Sequence, residues 1–264
     1  MASAAIRTVF VAGASGAIGR VLCGLLIEDG WRVIGSTRST AAASELRQAL
    51  PLRQRLQPLG DAFIPVVLDV FDRAALISAV TAAHPDVVIH QLTDLPKTLT
   101  RSSLAAALPA NARIREEGTA NLVEAALRAG ARRIVAQSIA FAYAPGAGPR
   151  PLTEDAPLDL VNMRAVASLE QQVLGCGPRL EGVVLRYGRL YGPRTWFPDG
   201  PPSGYEAPVH VDAAADAARR ALTLGRAGAV YNIAEEGDGA VSCRSAREEL
   251  GWDAGFRAPQ EGPW

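Results

Sequence analysis

Three glycines spaced G-x-x-G-x-x-G, Gly13-Ala-Ser-Gly16-Ala-Ile-Gly19, follow the apolar run Val9-Phe-Val-Ala and precede an amphipathic stretch from Arg20 to Glu28. Residues of these types in this order hold phosphate. A buried strand ends, the chain turns too sharply for a side chain, and backbone N–H groups opening a helix face a pyrophosphate. Glycine spacing alone is common in turns; its place between a strand and a helix makes it a dinucleotide signal. Gly13, Ser15, Gly16, Ala17, Ile18 and Gly19 are the contacts expected on the phosphate side.

The end of the second strand bears on which dinucleotide. A carboxylate there grips the ribose 2′-OH of NAD, but this strand ends Ile34-Gly-Ser36-Thr37-Arg38-Ser39 with none. Arg38 suits a 2′-phosphate, with the hydroxyls of Ser36, Thr37 or Ser39 adding hydrogen bonds. NADP is therefore expected over NAD, the bland alternative being that Arg38 is a solvated loop residue. Asp69-Val70 closes the third strand candidate and is placed at the adenine edge, although Asp69 or Asp72 can equally cap the helix starting near Ala74. Leu92 and Thr93, after the fourth strand, are expected beneath the ribose and diphosphate, Thr93 serving as a cap in the alternative.

Those residues need strands and helices to hold them. Strands are expected at Thr8–Ala14, Arg32–Thr37, Phe63–Val70, Val87–Leu92, Arg133–Ile139, Gly182–Gly188 and Ala229–Ala234. Several are unbroken Val/Ile/Leu runs, the pattern of parallel strands covered on both faces. Helical stretches fall between them, among them Ala74–Ala83 and Asn111–Ala129, the latter closed by Gly130. Repeated βα units imply an α/β fold, a doubly wound parallel sheet. Proline and glycine thicken from Pro145 to Pro151, at Pro193 and from Pro198 to Gly204, in loops expected over the carboxyl edge of the sheet.

Composition excludes several classes. The 264 residues carry 27 Lys+Arg against 27 Asp+Glu, so no global field attracts nucleic acid or an anionic membrane. Arg38, Lys97, Arg101, Arg113 and Arg115 do not interleave with aromatics, which argues against a nucleic-acid groove. No apolar run is long enough for a membrane span. Cys23, Cys176 and Cys243 are odd in number and widely spaced, unlike a disulfide framework or zinc site, and a cytoplasmic location is expected. His90 ends a buried strand as a core residue, and His210 with Asp212 makes neither a metal site nor a triad.

In order along the chain, Gly13–Gly19, Pro85-Asp-Val-Val-Ile-His90, Gly118-Thr-Ala-Asn121, Arg133-Ile-Val-Ala-Gln-Ser138, Leu185-Arg-Tyr187-Gly-Arg-Leu-Tyr191-Gly-Pro193, Val209-His-Val-Asp212 and Glu249-Leu-Gly-Trp252 together resemble the extended short-chain dehydrogenase/reductase group, its NAD(P)-dependent epimerase/dehydratase-like branch. The resemblance implies a Rossmann fold over residues 1–188, with strands extending to about 235, and substrate-binding segments interleaved through 189–264. It places Ser138 at the catalytic serine strand and Tyr187 among the cofactor contacts. It also implies a homodimer paired through Asn111–Ala129 and Asp159–Leu174.

The departures from that group are specific. Its members carry a Tyr-x-x-x-Lys pair on the helix after the serine strand; the matching positions here are Asn162 and Val166, and Asp159 to Leu174 contains neither residue type. The group's asparagine before the Gly-Thr motif is Arg115. Tyr143, five residues past Ser138, is the remaining hydroxyl expected near the nicotinamide end, as a rebuilt acid or as a packing residue. The segments Arg194–Pro208 and Ile233–Glu249 are short, so the C-terminal substrate-binding region is reduced; Trp196, Phe197 and Tyr205 either line it or pack on the surface. The expected function is an NADP(H)-dependent oxidoreductase acting on a small carbonyl, hydroxyl or sugar-like substrate. A non-catalytic NADP-binding sensor or protein-interaction module is the alternative, and a sugar-nucleotide epimerase/dehydratase the third.

Overall fold

A computed structural model describes residues 7–50, 62–96 and 98–259; Lys97 lies outside them. The strands are β1 (Thr8–Ala12), β2 (Arg32–Thr37), β3 (Phe63–Val67), β4 (Val87–His90), β5 (Arg133–Ile139), β6 (Glu181–Tyr187), β7 (Arg189–Tyr191), β8 (Pro208–His210) and β9 (Val230–Ile233). Seven of them form one sheet in the order β3-β2-β1-β4-β5-β6-β9, every pairing parallel. This is the doubly wound sheet that the strand spacing implies.

Alternate residues of each strand enter opposite cores, which is why the runs are apolar throughout. Val9, Val11, Val87, Ile89, Val135, Val183 and Leu185 face the layer of α1 (Ala17–Glu28), α2 (Thr40–Ala49) and α7 (Val211–Leu224). Phe10, Ala12, Val88, Ile134, Ala136 and Val184 face α3 (Arg73–Ala83), α5 (Thr119–Ala129) and α6 (Arg164–Leu174). Buried alanines 213, 214, 217, 218 and 221 let α7 lie close against α1.

The long helix expected from Asn111 starts ten residues earlier. A capping box of Thr100 and Ser103 opens α4 (Arg101–Arg113), which runs through Pro109 and joins α5 by a π turn at Ile114–Gly118. Pro109 is tolerated inside this helix, where the cap and the surrounding alanines favour helix. The turn seats Gly118 on Val70, where a Cβ would approach Val70 Cγ1 to 3.3 Å. Likewise α6 begins at Arg164 rather than Asp159, because the Asp159 carboxylate accepts from the N–H groups of Val161 and Asn162 in a separate turn. The parallel ribbon of β7 and β8, which the sequence did not announce, carries the chain over the sheet edge before α7, and α8 (Arg244–Leu250) follows β9.

Candidate functional site

The glycines of the first turn differ in what they touch. Gly13 has φ +91°, and a Cβ there would lie 2.8 Å from the Gln91 carbonyl oxygen. A Cβ at Gly19 would fall 2.2 Å from the Gly13 carbonyl oxygen, so this glycine lets α1 meet the turn. Gly16, the N-cap of α1, is exposed, and a Cβ there would meet only the Gly13 carbonyl oxygen, at 3.4 Å. It supplies no side-chain cap, and the first turn of α1 holds no acidic residue. The leading N–H groups are thus left without a protein acceptor beside a positive helix end. That cradle fits the phosphates of a dinucleotide: two glycines satisfy the fold, and the middle one leaves room for a ligand.

Beside it, Ser15 Oγ and Thr37 Oγ1 are 3.0 Å apart, which ties the turn to the end of β2. Arg38 projects from that end with 68 % of its side chain exposed and pairs with Asp94 at 2.8 Å. Asn111 fixes the Asp94 backbone at both ends, accepting from its N–H and donating to its carbonyl. Asp69 accepts from the Phe71 N–H in an exposed turn, while Asp72 is the residue that caps α3. Val70 is buried against Gly118, and its carbonyl accepts from Asn121 Nδ2 at 3.0 Å. Trp196 of the short segment after β7 donates its indole N–H to the Pro96 carbonyl, and Arg194 pairs with Glu45. Phe197 and Tyr205 stack edge to face at 5.0 Å.

The edge of β4 and β6 is occupied by polar pairs. Tyr187 is buried and its hydroxyl accepts from Gln91 Nε2; burial pushes its pKa up. Leu92 donates its N–H to His90 Nδ1 and receives Gln137 Nε2 on its carbonyl, so His90 carries its proton on Nε2, facing Thr119. Thr93 is exposed, and the cap of the following helix is Thr100.

Ser138 and Tyr143 lie in one buried network. Ser138, 1 % exposed, donates to Glu170 Oε1 at 2.6 Å. Glu170 is held by Arg186 through two bonds, Nε to Oε1 at 3.0 Å and Nη2 to Oε2 at 2.7 Å. Arg186 Nη1 donates to the Tyr143 hydroxyl at 3.0 Å, and that hydroxyl donates to Asn232 Oδ1 at 2.6 Å. Burial works against the Arg186 charge, but Glu170 outweighs it and the net pKa is raised. The Tyr143 phenol is also raised, by burial first. Both hydroxyl protons are thereby given to protein acceptors. A charged residue inside a buried strand must find a partner, so Arg186 within Val183-Val-Leu-Arg-Tyr was the legible clue to this network.

Val166 is buried on α6, and Asn162, in the turn before it, is tied by Nδ2 to Asp159 Oδ2 at 2.7 Å. All three cysteines are free, and burial pushes Cys23 and Cys243 up to about 12. Among the described residues no group of His, Cys, Asp and Glu could hold a metal, and no helix is long and apolar enough to cross a membrane.

Comparison with known proteins agrees with this architecture. Residues 9–205 match the sequence profile of the NAD dependent epimerase/dehydratase family. A 3-diazoavenalumate denitrifying reductase from Streptomyces sp is 47% identical over 197 residues, 72% of this chain and 58% of that protein, so the chain spans somewhat over half of its curated relative. Solved structures share the fold at low identity. UDP-glucose 4-epimerase from Thermotoga maritima, with UDP-glucose, superposes with a TM-score of 0.73 at 18% identity over 93% of each chain. UDP-glucose-4-epimerase from Stenotrophomonas maltophila, with NAD, gives 0.74 at 18% over 95% of this chain and 94% of that one. dTDP-glucose 4,6-dehydratase from Bacillus anthracis, with NAD, gives 0.70 at 16% over 95% and 92%. The open glycine turn, the seven-stranded parallel sheet and the profile match together make this chain a member of the NAD dependent epimerase/dehydratase family.

Proposed function

We propose that the protein is a nicotinamide-dependent reductase that uses NADP(H) in preference to NAD(H). One observation carries the reading: its 47% identity to a denitrifying reductase over 197 residues. When bound, the cofactor supplies a hydride. Gly13–Gly19 hold the pyrophosphate, Arg38 with Ser36, Thr37 or Ser39 takes the 2′-phosphate, Asp69 and Val70 border the adenine, and Leu92, Thr93 and Tyr187 floor the ribose side.

The chain's own residues then constrain the substrate. Ser138 and Tyr143 spend their protons on Glu170 and Asn232, and positions 162 and 166 hold no tunable acid. In this reading Ser138 and Tyr143 are positioning residues that set the end of β5. The site therefore suits an electrophile that needs no proton from the protein. A diazo carboxylate meets that condition: as a diazonium it accepts hydride at its terminal nitrogen, the resulting N–H proton passes to solvent, the C–N bond breaks to release dinitrogen, and the ring carbon takes a proton back from solvent, so that diazonium and reduced cofactor give arene, dinitrogen and oxidised cofactor. The relative's substrate name is of this kind.

The test is NADPH oxidation with 4-carboxybenzenediazonium, following dinitrogen release and benzoate formation. Equal amounts of all three changes support the reading; NADPH and NADH bound without turnover on diazo, carbonyl or sugar-nucleotide substrates would favour a redox sensor. The solved epimerases and dehydratases motivate the sugar-nucleotide reading, and chromatography of UDP-glucose incubated with the protein and NAD⁺ or NADP⁺, looking for a C4 epimer or a dehydrated product, tests it. A homodimer through α5 and α6, and a reducing cytoplasmic setting consistent with three free cysteines, belong to the same proposal; sedimentation tests the former.

A further inference from the structure

Arg115 stands on the π turn between α4 and α5. Every other described arginine that is not exposed faces a partner. Arg20 pairs with Glu45, Arg133 with Glu181, Arg186 with Glu170, Arg219 and Arg220 with Asp216, and Arg189 lies over Phe141. Arg115 is half-buried, and among the described residues no carboxylate, carbonyl or ring meets its guanidinium. The acids beside it in sequence are engaged elsewhere: Glu116 lies 3.7 Å from Arg164, and Glu117 accepts from Arg113 at 2.7 Å. Its backbone carbonyl receives Gln172 Nε2, which fixes the turn against α6 and leaves the side chain free.

Its location follows from its neighbours. Thr119, which directly follows the π turn, has its hydroxyl 3.1 Å from Nε2 of His90, the last residue of β4, so the turn that carries Arg115 lies near the carboxyl edge of the sheet, where open α/β folds bind ligands. Its nitrogens are not sealed, since Arg20 Nε is the buried side-chain polar atom without a partner among the described residues. Burial lowers the pKa of Arg115 and no acid opposes this, yet a guanidinium stays charged in proteins. A cation withdrawn from bulk water with no counter-charge is a cost to the fold that a bound anion removes. The cofactor phosphates already have the α1 terminus and Arg38, which leaves this charge for another ligand.

We propose that Arg115 is a substrate-binding residue that takes the substrate's carboxylate through its two-pronged face and so selects anionic over neutral substrates. The fork geometry of guanidinium matches a carboxylate bidentately. This rests on the reductase reading for what happens to the substrate, and on Arg115 alone for how it is chosen.

The test compares wild type, Arg115→Gln and Arg115→Lys by calorimetric titration with cinnamate and cinnamamide, with and without saturating NADP⁺. Wild type binds cinnamate at least about tenfold more tightly than the amide, Arg115→Gln abolishes the preference, and Arg115→Lys keeps part of it as a point charge. NADPH affinity of Arg115→Gln stays within about twofold of wild type, and its melting temperature equals or exceeds wild type because an uncompensated charge is gone. Any of four results overturns the assignment: no cinnamate binding or equal amide binding by wild type, a preference that survives Arg115→Gln, a large loss of NADPH affinity, or a lower melting temperature. If neither NADPH nor NADH binds wild type, the reductase reading fails, while the cofactor-free titration still judges Arg115.

Discussion

Ser138 Oγ and Glu170 Oε1 meet at 2.6 Å across the packing of β5 on α6, with both residues buried. This hydrogen bond joins the end of a central strand to a helix and, through Arg186, to Tyr143 and Asn232. Ser138→Ala removes a bond to a charged acceptor and is expected to lower stability by about 1.5–3 kcal/mol. Urea denaturation checks this. In the same variant kcat stays within about tenfold of wild type, well short of what loss of a general acid does; a larger fall would return Ser138 to the reacting atoms.

Glu170→Gln leaves Arg186 charged in a site where both side chains are only 5–6% exposed. The expected loss is about 3–5 kcal/mol, the penalty for an unpaired buried charge. A double variant that also replaces Arg186 with Met recovers part of it, and a thermodynamic cycle from denaturation midpoints measures the coupling.

Gly16→Ala separates folding from binding. A Cβ at 16 meets no protein atom closer than 3.4 Å, so the melting temperature changes little, while NADPH affinity falls because the methyl occupies the approach to the helix end. Gly13→Ala and Gly19→Ala meet backbone oxygens at 2.8 Å and 2.2 Å and are expected to destabilise the fold itself. Thermal scans with and without NADPH distinguish the two patterns.

Arg38→Ala is expected to weaken NADPH binding at least about tenfold and leave NADH nearly unchanged, since only the former carries a 2′-phosphate. Asp94→Asn releases Arg38 from its 2.8 Å partner. An exposed pair of this kind is worth at most about 1 kcal/mol, so a gain in NADPH affinity of about twofold to fivefold is expected. Fluorescence titration of both nucleotides gives the answer, and the gain should shrink at high salt.

His90 is pushed down to about 4, by burial first and then by Arg115. Its unfolded value is about 6.5, so between those pH values the unfolded chain binds more protons than the folded one. Stability attributable to this residue is complete above pH 6.5 and is lost as pH falls through that window, at up to about 1.4 kcal/mol per pH unit. Chemical denaturation of wild type against His90→Gln from pH 4 to 7 should show a shallower slope in the variant.

The order of βα units, the glycine turn and the positions of all seven sheet strands were legible in the residues, because each is a local signal: a β-branched run, a glycine spacing, a helix stop. Helix limits were less so. Helices were expected to start at Asn111 and Asp159, and both limits gave way to the capping and turn contacts of Thr100, Ser103 and Asp159. The site divides the same way. Gly13, Gly16 and Gly19 could be named from spacing alone, whereas which of them is free to meet a ligand depends on Gln91, 78 residues from the first glycine. The type of Ser138 was plain; that its proton goes to Glu170 was not, because the partner lies 32 residues away on another element. The sequence by itself determined where an open glycine turn would meet a helix start, and the tertiary structure alone decided which polar side chains are spent on one another and which, like Arg115, are left with a charge to satisfy.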